Sequence, residues 1–218
     1  VSGGHTALWR CPAPGVYGSV ARTRDDAAGE AFDKVAKMLG LPYPGGPVID
    51  RFAERGDPQA VRFGEVRIKG EPAFSFSGYK TAVRTYMQKS GLQPLEHQDD
   101  EPSQQMLDLI ASFRYAVVRE LLRRTRQAIE AQRPRSLVLA GGVAANRLLR
   151  REITALADAT GLALSIPPMR HCGDNAAMIG LAALPRLENG DNEADRLDAT
   201  AALPLGDEPS RGSAKRHR

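Results

Sequence analysis

Three glycine pairs and two polar clusters hold the residue types that could do chemistry in this chain. Gly3-Gly4, Gly45-Gly46 and Gly141-Gly142 lack a Cβ, so their backbone N–H groups can turn outward and a phosphate or adenylate can approach closely. Val1-Ser2-Gly3-Gly4-His5-Thr6 runs an apolar residue into its pair with hydroxyls on either side, although a hairpin turn needs such residues too. Gly141-Gly142 follows an apolar run and precedes a helical pattern, so a helix N-terminus can face an anion or an adenine there. A turn that packs strand on helix would use the same glycines. Asn146 can cap that helix or hydrogen-bond a nucleoside. Asp26, Glu30 and Asp33 recur about one helical turn apart, either to bind ribose hydroxyls or a metal, or as a solvated acidic face. His171-Cys172-Gly173-Asp174-Asn175 gathers an imidazole, a thiol, a carboxylate and an amide. Asp174 serves there as an N-cap or, given partners, as a metal ligand.

Spacing alone completes no metal site. The histidines are His5, His97, His171 and His217, and none pair at the i, i+4 spacing that presents two imidazoles on one helix face. No Ser/His/Asp or Cys/His arrangement is evident, so a nucleophilic side chain is not expected. Cys11 and Cys172 are too far apart in sequence to suggest a disulfide framework, which points to a reducing, cytoplasmic setting. No apolar run approaches the roughly 20 residues that span a bilayer, and no signal-peptide pattern is present. The formal net charge of +4 would suit an RNA partner, but the terminal run Arg211–Arg218 supplies much of it and reads as a solvated basic tail.

The elements that must position these residues follow from periodicity. Residues 1–10 and 16–22 read as strands of a hairpin about Pro12-Ala13-Pro14-Gly15. Asp25 and Asp26 open a helix to Leu39, with Ala28, Ala31, Phe32, Val35 and Met38 on one face. Leu41–Pro47 is expected to be a rigid irregular loop, and 48–55 a short helix. Extended pieces over 60–77 precede a helix from about Lys80, and 90–103 is an exposed connection. Leu107, Ile110, Val117, Leu121 and Ile129 mark a long amphipathic helix, with Arg119, Arg123, Arg124 and Arg126 mostly on its other side. Ser136–Ala140 reads as a buried strand, followed by a helix to about Ala159. A strand over Leu162–Ile166 and a helix opened by Asp174-Asn175 complete an α/β layer, with ligand loops at the carboxyl ends of strands.

Six ordered stretches carry a resemblance. They are Val1–Thr6, Asp25–Lys34, Tyr43–Pro47, Phe74-Ser75-Phe76-Ser77-Gly78, Leu139–Arg147 and Cys172–Ile179. Together they resemble the bacterial-type tRNA adenosine threonylcarbamoyltransferase family. The resemblance implies the actin-like, sugar-kinase and Hsp70-ATPase fold, in which two α/β lobes face a nucleotide cleft. Residues 1–190 would form the second lobe, with a helical insertion at about 40–130, ahead of an irregular basic tail over 191–218. The implied activity moves a threonylcarbamoyl group from threonylcarbamoyl-AMP to N6 of the adenosine beside the anticodon, in tRNAs that read codons beginning with A. Threonylcarbamoyl-AMP or ATP is the implied ligand. Val1, Ser2, Gly3 and Gly4 would line its phosphate and acyl portion, while Asp33, Gly46 and Asn146 would hold ribose and adenine. Asp174 would ligate one divalent metal, iron or alternatively zinc. The implied partners are tRNA, a paralogous scaffold subunit and a small ATPase subunit, with no membrane.

The family's first lobe and its His-x-x-x-His metal pair are not in this chain. The fragment is therefore expected to bind nucleotide weakly without turnover, and to expose an apolar face. The family usually has threonine where Gly173 stands, leucine where Tyr79 stands and often serine where Ala144 stands. The alternatives are a non-catalytic paralogue that acts as a scaffold, and an ATPase or kinase of the same fold. The transfer itself agrees with the residues. A mixed anhydride is already activated, so the protein must orient the amine, exclude water and stabilise an oxyanion, none of which needs a nucleophilic side chain.

Overall fold

Apolar alternation and a proline–glycine turn begin the fold. The computed structural model describes residues 1–65 and 72–190; the tail expected over 191–218 lies outside the described residues. Strands β1 (Ala7–Ala13) and β2 (Val16–Thr23) pair antiparallel around Pro14-Gly15, with Gly15 at φ 77°. The short β3 (Ala73–Phe74) joins β2 in parallel. Residues 1–6 are a bend and not the start of a strand.

Helix α1 (Ala28–Met38) buries Ala28, Ala31, Phe32 and Val35. Its N-cap is Ala27, not Asp25 or Asp26. The capping bond comes from elsewhere: Thr6 Oγ1 accepts from the Ala28 N–H at 2.9 Å, and Asp25 is engaged by another segment. Helix α2 (Gly45–Phe52) starts inside the stretch expected to be irregular. Pro47 sits in its first turn, where a missing N–H removes no helical bond. A 3₁₀ turn, Ala53–Arg55, extends it. Helix α3 (Ser77–Ser90) begins a little before the expected Lys80.

Helix α4 (Gln104–Gln132) is capped by Ser103, whose Oγ accepts from the Met106 N–H at 3.3 Å. It is the spine of the core. Phe113 meets Phe32 edge-to-face at 5.5 Å and Phe63 at 6.3 Å, among the fully buried Ile49, Leu109 and Ile110. Over 40–130 the described elements are α2, the 3₁₀ turn, β3, α3 and most of α4.

A second, two-stranded parallel sheet pairs β4 (Ser136–Val138) with β5 (Ala163–Ser165). Helix α5 (Arg147–Thr160) connects them and packs against α4. The strand expected to be buried is shorter and more open: Leu139 is buried, but Val138 is 64% exposed. Among the described residues β5 alone pairs with it, along one edge. Helix α6 (Ala176–Glu188) is capped by Asn175 and not by Asp174. Asn175 Oδ1 accepts from the Met178 N–H at 3.3 Å. Exposed apolar side chains gather on α6, at Ile179, Leu181 and Leu187.

Phe113→Ala removes the ring that joins α4 to α1 and to the Phe63 loop. It is expected to lower unfolding free energy by about 3–5 kcal/mol, measured from urea denaturation of the chain against the parent.

Candidate functional site

The bends at residues 1–6 and 141–146 meet backbone to backbone. The Val1 amino group donates to the Ala140 carbonyl at 2.7 Å, and the Val143 N–H donates to the Val1 carbonyl at 3.0 Å. Gly141 has φ 93°, and a Cβ there would lie 2.5 Å from the Val1 oxygen. Only glycine permits both that conformation and that approach.

The first bend is closed on itself and docked on α1. The Ser2 N–H donates to the His5 carbonyl at 2.8 Å, and the His5 N–H donates to Ser2 Oγ at 3.1 Å. At the start of α1, the Gly29 N–H donates to the Ser2 carbonyl at 3.3 Å. A Cβ on Gly29 would fall 2.6 Å from the Gly3 Cα. One turn further along α1, half-buried Asp33 accepts from the Gly45 N–H at 2.8 Å, in the first turn of α2. Helix α1 thus carries the first bend at its N-terminus and the bend at 43–47 one turn later.

The bends are braced from behind. Buried Asp50 on α2 accepts from the Arg147 N–H with both carboxylate oxygens, each at 3.3 Å. It also accepts from Arg114 Nη1 at 3.0 Å, and Arg114 pairs with Glu54 as well. The hydrogen bond from Arg114 holds the Glu54 carboxyl below its ordinary range, against a smaller opposing effect of burial. Asn146 is buried, and its Oδ1 accepts from the Leu149 N–H at 2.9 Å. The capping role is therefore realised. Arg150 Nε donates to the Ala144 carbonyl at 2.5 Å, and its Nη2 donates to the Pro167 carbonyl at 3.3 Å and to Cys172 Sγ at 3.5 Å. Through Arg150 the segment that leads to Asp174 is tied to the third bend.

The glycines divide by what surrounds them. Gly29, Gly45 and Gly141 have backbone or side-chain atoms where a Cβ would go. Gly3, Gly4, Gly46 and Gly142 have nothing within 4 Å of that position. The bends at 43–47 and 141–146 therefore each pair a close-packed glycine with one facing open space, whereas the first bend has two open glycines and is packed upon by Gly29 of α1. Beside Asp33 lies a cavity of about 360 Å³ lined by Glu30, Lys34, Tyr43, Gly45 and Gln98. Lys34 reaches Asp26 at 2.6 Å and Glu30 at 2.8 Å, which raises its pKa above the usual lysine value. Tyr43 stands 83% exposed at the rim.

Val1, Ser2, Gly3, Gly4, Asp33, Gly46 and Asn146 thus belong to one connected set of bends. Asp174 is exposed, with no hydrogen bond or ion pair among the described residues. Among those residues no three His, Cys, Asp or Glu side chains converge. A metal held by Asp174 would therefore need its other ligands from outside the described residues.

Sequence patterns alone do not point to Thr6, Asp50, Arg114 or Arg150 as the braces. Asp25 is different. Its Oδ1 accepts from the Phe76 N–H at 2.8 Å and its Oδ2 from Ser75 Oγ at 2.5 Å and Ser77 Oγ at 2.7 Å. The Phe-Ser-Phe-Ser alternation carries that signal, since the two rings are buried and the two hydroxyls share the opposite face.

Comparison with known proteins places these bends in a family. The family model for TsaD, tRNA N6-adenosine threonylcarbamoyltransferase, matches residues 1–181. The protein of that name from Anaeromyxobacter dehalogenans (strain 2CP-1) is 47% identical over 207 residues, covering 94% of this chain and 60% of the relative. That from Geotalea uraniireducens is 46% identical over 212 residues, covering 97% and 60%. The chain thus spans about three-fifths of the length of these curated relatives. The crystal structure of HypF from T. kodakarensis superposes with a TM-score of 0.50 at 22% identity, over 76% of this chain and 20% of that one. That likeness is one of α/β fold alone. No helix among the described residues is long and apolar enough to cross a membrane.

Burial raises the Asp25 pKa, but the hydrogen bonds from Ser75, Phe76 and Ser77 outweigh it and hold the carboxyl below its ordinary value. Its stabilisation is complete above the unfolded carboxylate value of about 3.9. It is lost as pH falls through the lower folded value. Urea midpoints measured from pH 5 to pH 2 should fall less steeply for Asp25→Asn than for the parent chain.

Proposed function

The chain belongs to the TsaD family of tRNA N6-adenosine threonylcarbamoyltransferases, and from that premise we propose that it holds the acyl-adenylate donor in threonylcarbamoyl transfer to tRNA. The whole protein moves the threonylcarbamoyl group from threonylcarbamoyl-AMP to N6 of the adenosine beside the anticodon, in tRNAs reading codons that begin with A. In this reading the α/β fold is one lobe of an actin-like architecture. A paralogous scaffold subunit and a small ATPase subunit are its partners.

The reading rests on one observation: three bends, joined through α1, each leave a glycine with open space where a Cβ would stand. Such positions admit a ligand to backbone distance, and the outward N–H groups of the bends suit a phosphate and a developing oxyanion. Asp33 keeps one carboxylate oxygen beyond its bond to Gly45, and that oxygen faces the ribose hydroxyls. The Asn146 amide takes the nucleoside side. The donor is an anhydride, so its carbonyl carbon is already electrophilic. The N6 amine attacks that carbon, the bond to the phosphate oxygen breaks, AMP departs and the amine loses a proton. The chain's own work is to fix the donor's orientation, keep water from the anhydride and stabilise charge on the carbonyl oxygen.

Gly46→Ala and Gly142→Ala test this directly, because neither meets a neighbour in the unliganded chain. Gly142→Ala is expected to keep the thermal midpoint of the parent, and Gly46→Ala to hold or raise it. Gly46→Ala, inside a helix, should gain up to about 1 kcal/mol. Calorimetric titration with a non-hydrolysable threonylcarbamoyl-adenylate analogue should show at least tenfold weaker binding for each. Unchanged affinity in both variants would remove the adenylate from these bends. Asp33→Ala should also weaken binding, by about 10- to 100-fold for a lost bond to a charged group. Since Asp33 also anchors Gly45, its effect must be read beside the two glycine variants.

A further inference from the structure

A second cavity, of about 340 Å³, shares no lining residue with the one beside Asp33. It lies between the loop at residues 58–63 and the middle of α4. Gln59, Arg62, Phe63, Tyr115 and Arg119 form much of its wall, and among the described residues no carboxylate lines it. The loop is held firmly. The Val61 N–H donates to Ser112 Oγ at 3.0 Å, Ser112 Oγ donates to the Asp57 carbonyl at 3.1 Å, and the Asp57 N–H donates to Asp108 Oδ1 at 2.9 Å. Arg119 Nη2 donates to the Phe63 carbonyl at 3.1 Å, which fixes the guanidinium across the cavity wall. Arg62 is exposed and makes no hydrogen bond or ion pair among the described residues. Tyr115 is 37% exposed, a ring presented to solvent beside two cationic groups.

The positive charge continues along the helix. Tyr115, Arg119, Arg123 and Arg126 follow one another at intervals of four, four and three residues, which keeps them on one face of α4. Arg119 and Arg126 are about 10 Å apart along the axis. The buried carboxylate of this region, Glu120, is already compensated by Arg123 at 2.7 Å and Arg124 at 3.1 Å. It does not offset the charge of Arg62, Arg119 and Arg126.

We propose that this cavity and the stripe beside it bind an RNA strand. One phosphodiester sits between Arg62 and Arg119, the adjoining base stacks on the Tyr115 ring, and the backbone continues toward Arg126. Guanidinium groups bind phosphate at any sequence, and an exposed aromatic ring accepts any base face. The site therefore positions the acceptor RNA without reading its sequence. The inference rests on the acyl-transfer reading, in which tRNA is the acceptor, and it names where that acceptor is held apart from the adenylate bends.

The test is fluorescence anisotropy of labelled tRNA with the full chain, over a series of salt concentrations. Arg62→Gln should weaken binding severalfold and lower the magnitude of the log K against log salt slope by about 1. Tyr115→Ala should weaken it about tenfold with the slope unchanged. Parent affinity and slope in both variants would overturn the proposal. So would displacement of the RNA by inorganic phosphate at millimolar concentration, which would make the cavity a site for small anions. Competition by polyglutamate at concentrations that match the RNA would assign the face to an acidic peptide instead. The adenylate analogue is titrated into the same proteins. Adenylate binding without tRNA binding by the parent overturns this inference and leaves the donor site standing. Loss of adenylate binding by the parent overturns the donor reading, while the Arg62 and Tyr115 comparisons still decide the RNA site. Circular dichroism confirms the fold of each variant, and if Tyr115→Ala unfolds, the exposed Arg62 decides the outcome.

Discussion

Backbone approaching backbone more closely than a Cβ would allow is the constraint on which this structure turns. Gly141 lies against the Val1 carbonyl and Gly29 against Ser2 and Gly3. Gly45 lies against α1, at Asp33 and Ala36. Those three contacts hold the first bend to the third and α1 to the first two. Any side chain at these positions would push the bends apart and widen the space they enclose. Gly3, Gly4, Gly46 and Gly142 differ, for open space lies where their own Cβ would stand. The same residue type is therefore used for packing and for access, side by side at Gly45-Gly46 and Gly141-Gly142.

The polar groups behind the bends convert that packing into a fixed geometry. Asp50 bonds the first turn of α5 and the Arg114 guanidinium together, so α2, α4 and α5 share one buried ionic centre. Removing one member of such a centre leaves an uncompensated buried charge, which costs far more than an exposed pair contributes. Arg150 does the corresponding work between the third bend and the segment around Cys172. Neither centre needs to touch a ligand to matter, because the bends can be only as well placed as the helices that carry them.

Much of this was legible in the residues. The hairpin about Pro14-Gly15, the apolar faces of α1 and α4, and the two strand–bend–helix units follow from local spacing, whereas residues 1–6 read as strand and form a bend. The errors arise where a distant group supplies what a local residue was expected to supply. Asp25 and Asp26 look like caps for α1, yet Thr6 caps it from across the hairpin and leaves Asp25 to hold Ser75–Ser77. Asp174 looks like a cap for α6, yet Asn175 takes that place. Leu41–Pro47 looks too rich in proline and glycine for a helix, yet the Asp33 carboxylate accepts the first-turn N–H of Gly45 and lets α2 start there. Ser136–Ala140 looks like an interior strand by composition, yet its exposure depends on how many neighbours the sheet has, which no local pattern encodes. Asp50, Arg114 and Arg150 were illegible for the same reason, since each bonds to residues far off in the chain.

The bond from the Val1 amino group to Ala140 joins residues 139 positions apart. Such a contact pays its loop-closure entropy only after the chain between has been ordered by closer contacts. The hairpin, α1 and α4 can collapse through Phe32, Phe63 and Phe113 with the first and third bends still separate. Joining the first and third bends therefore carries the loop-closure cost of a long-range contact, and it uses none of the aromatic contacts of Phe113. A molecule that bridges both bends would tie two segments far apart in the chain, and would slow amide exchange at Val143 and Gly29 well before it altered exchange in α4.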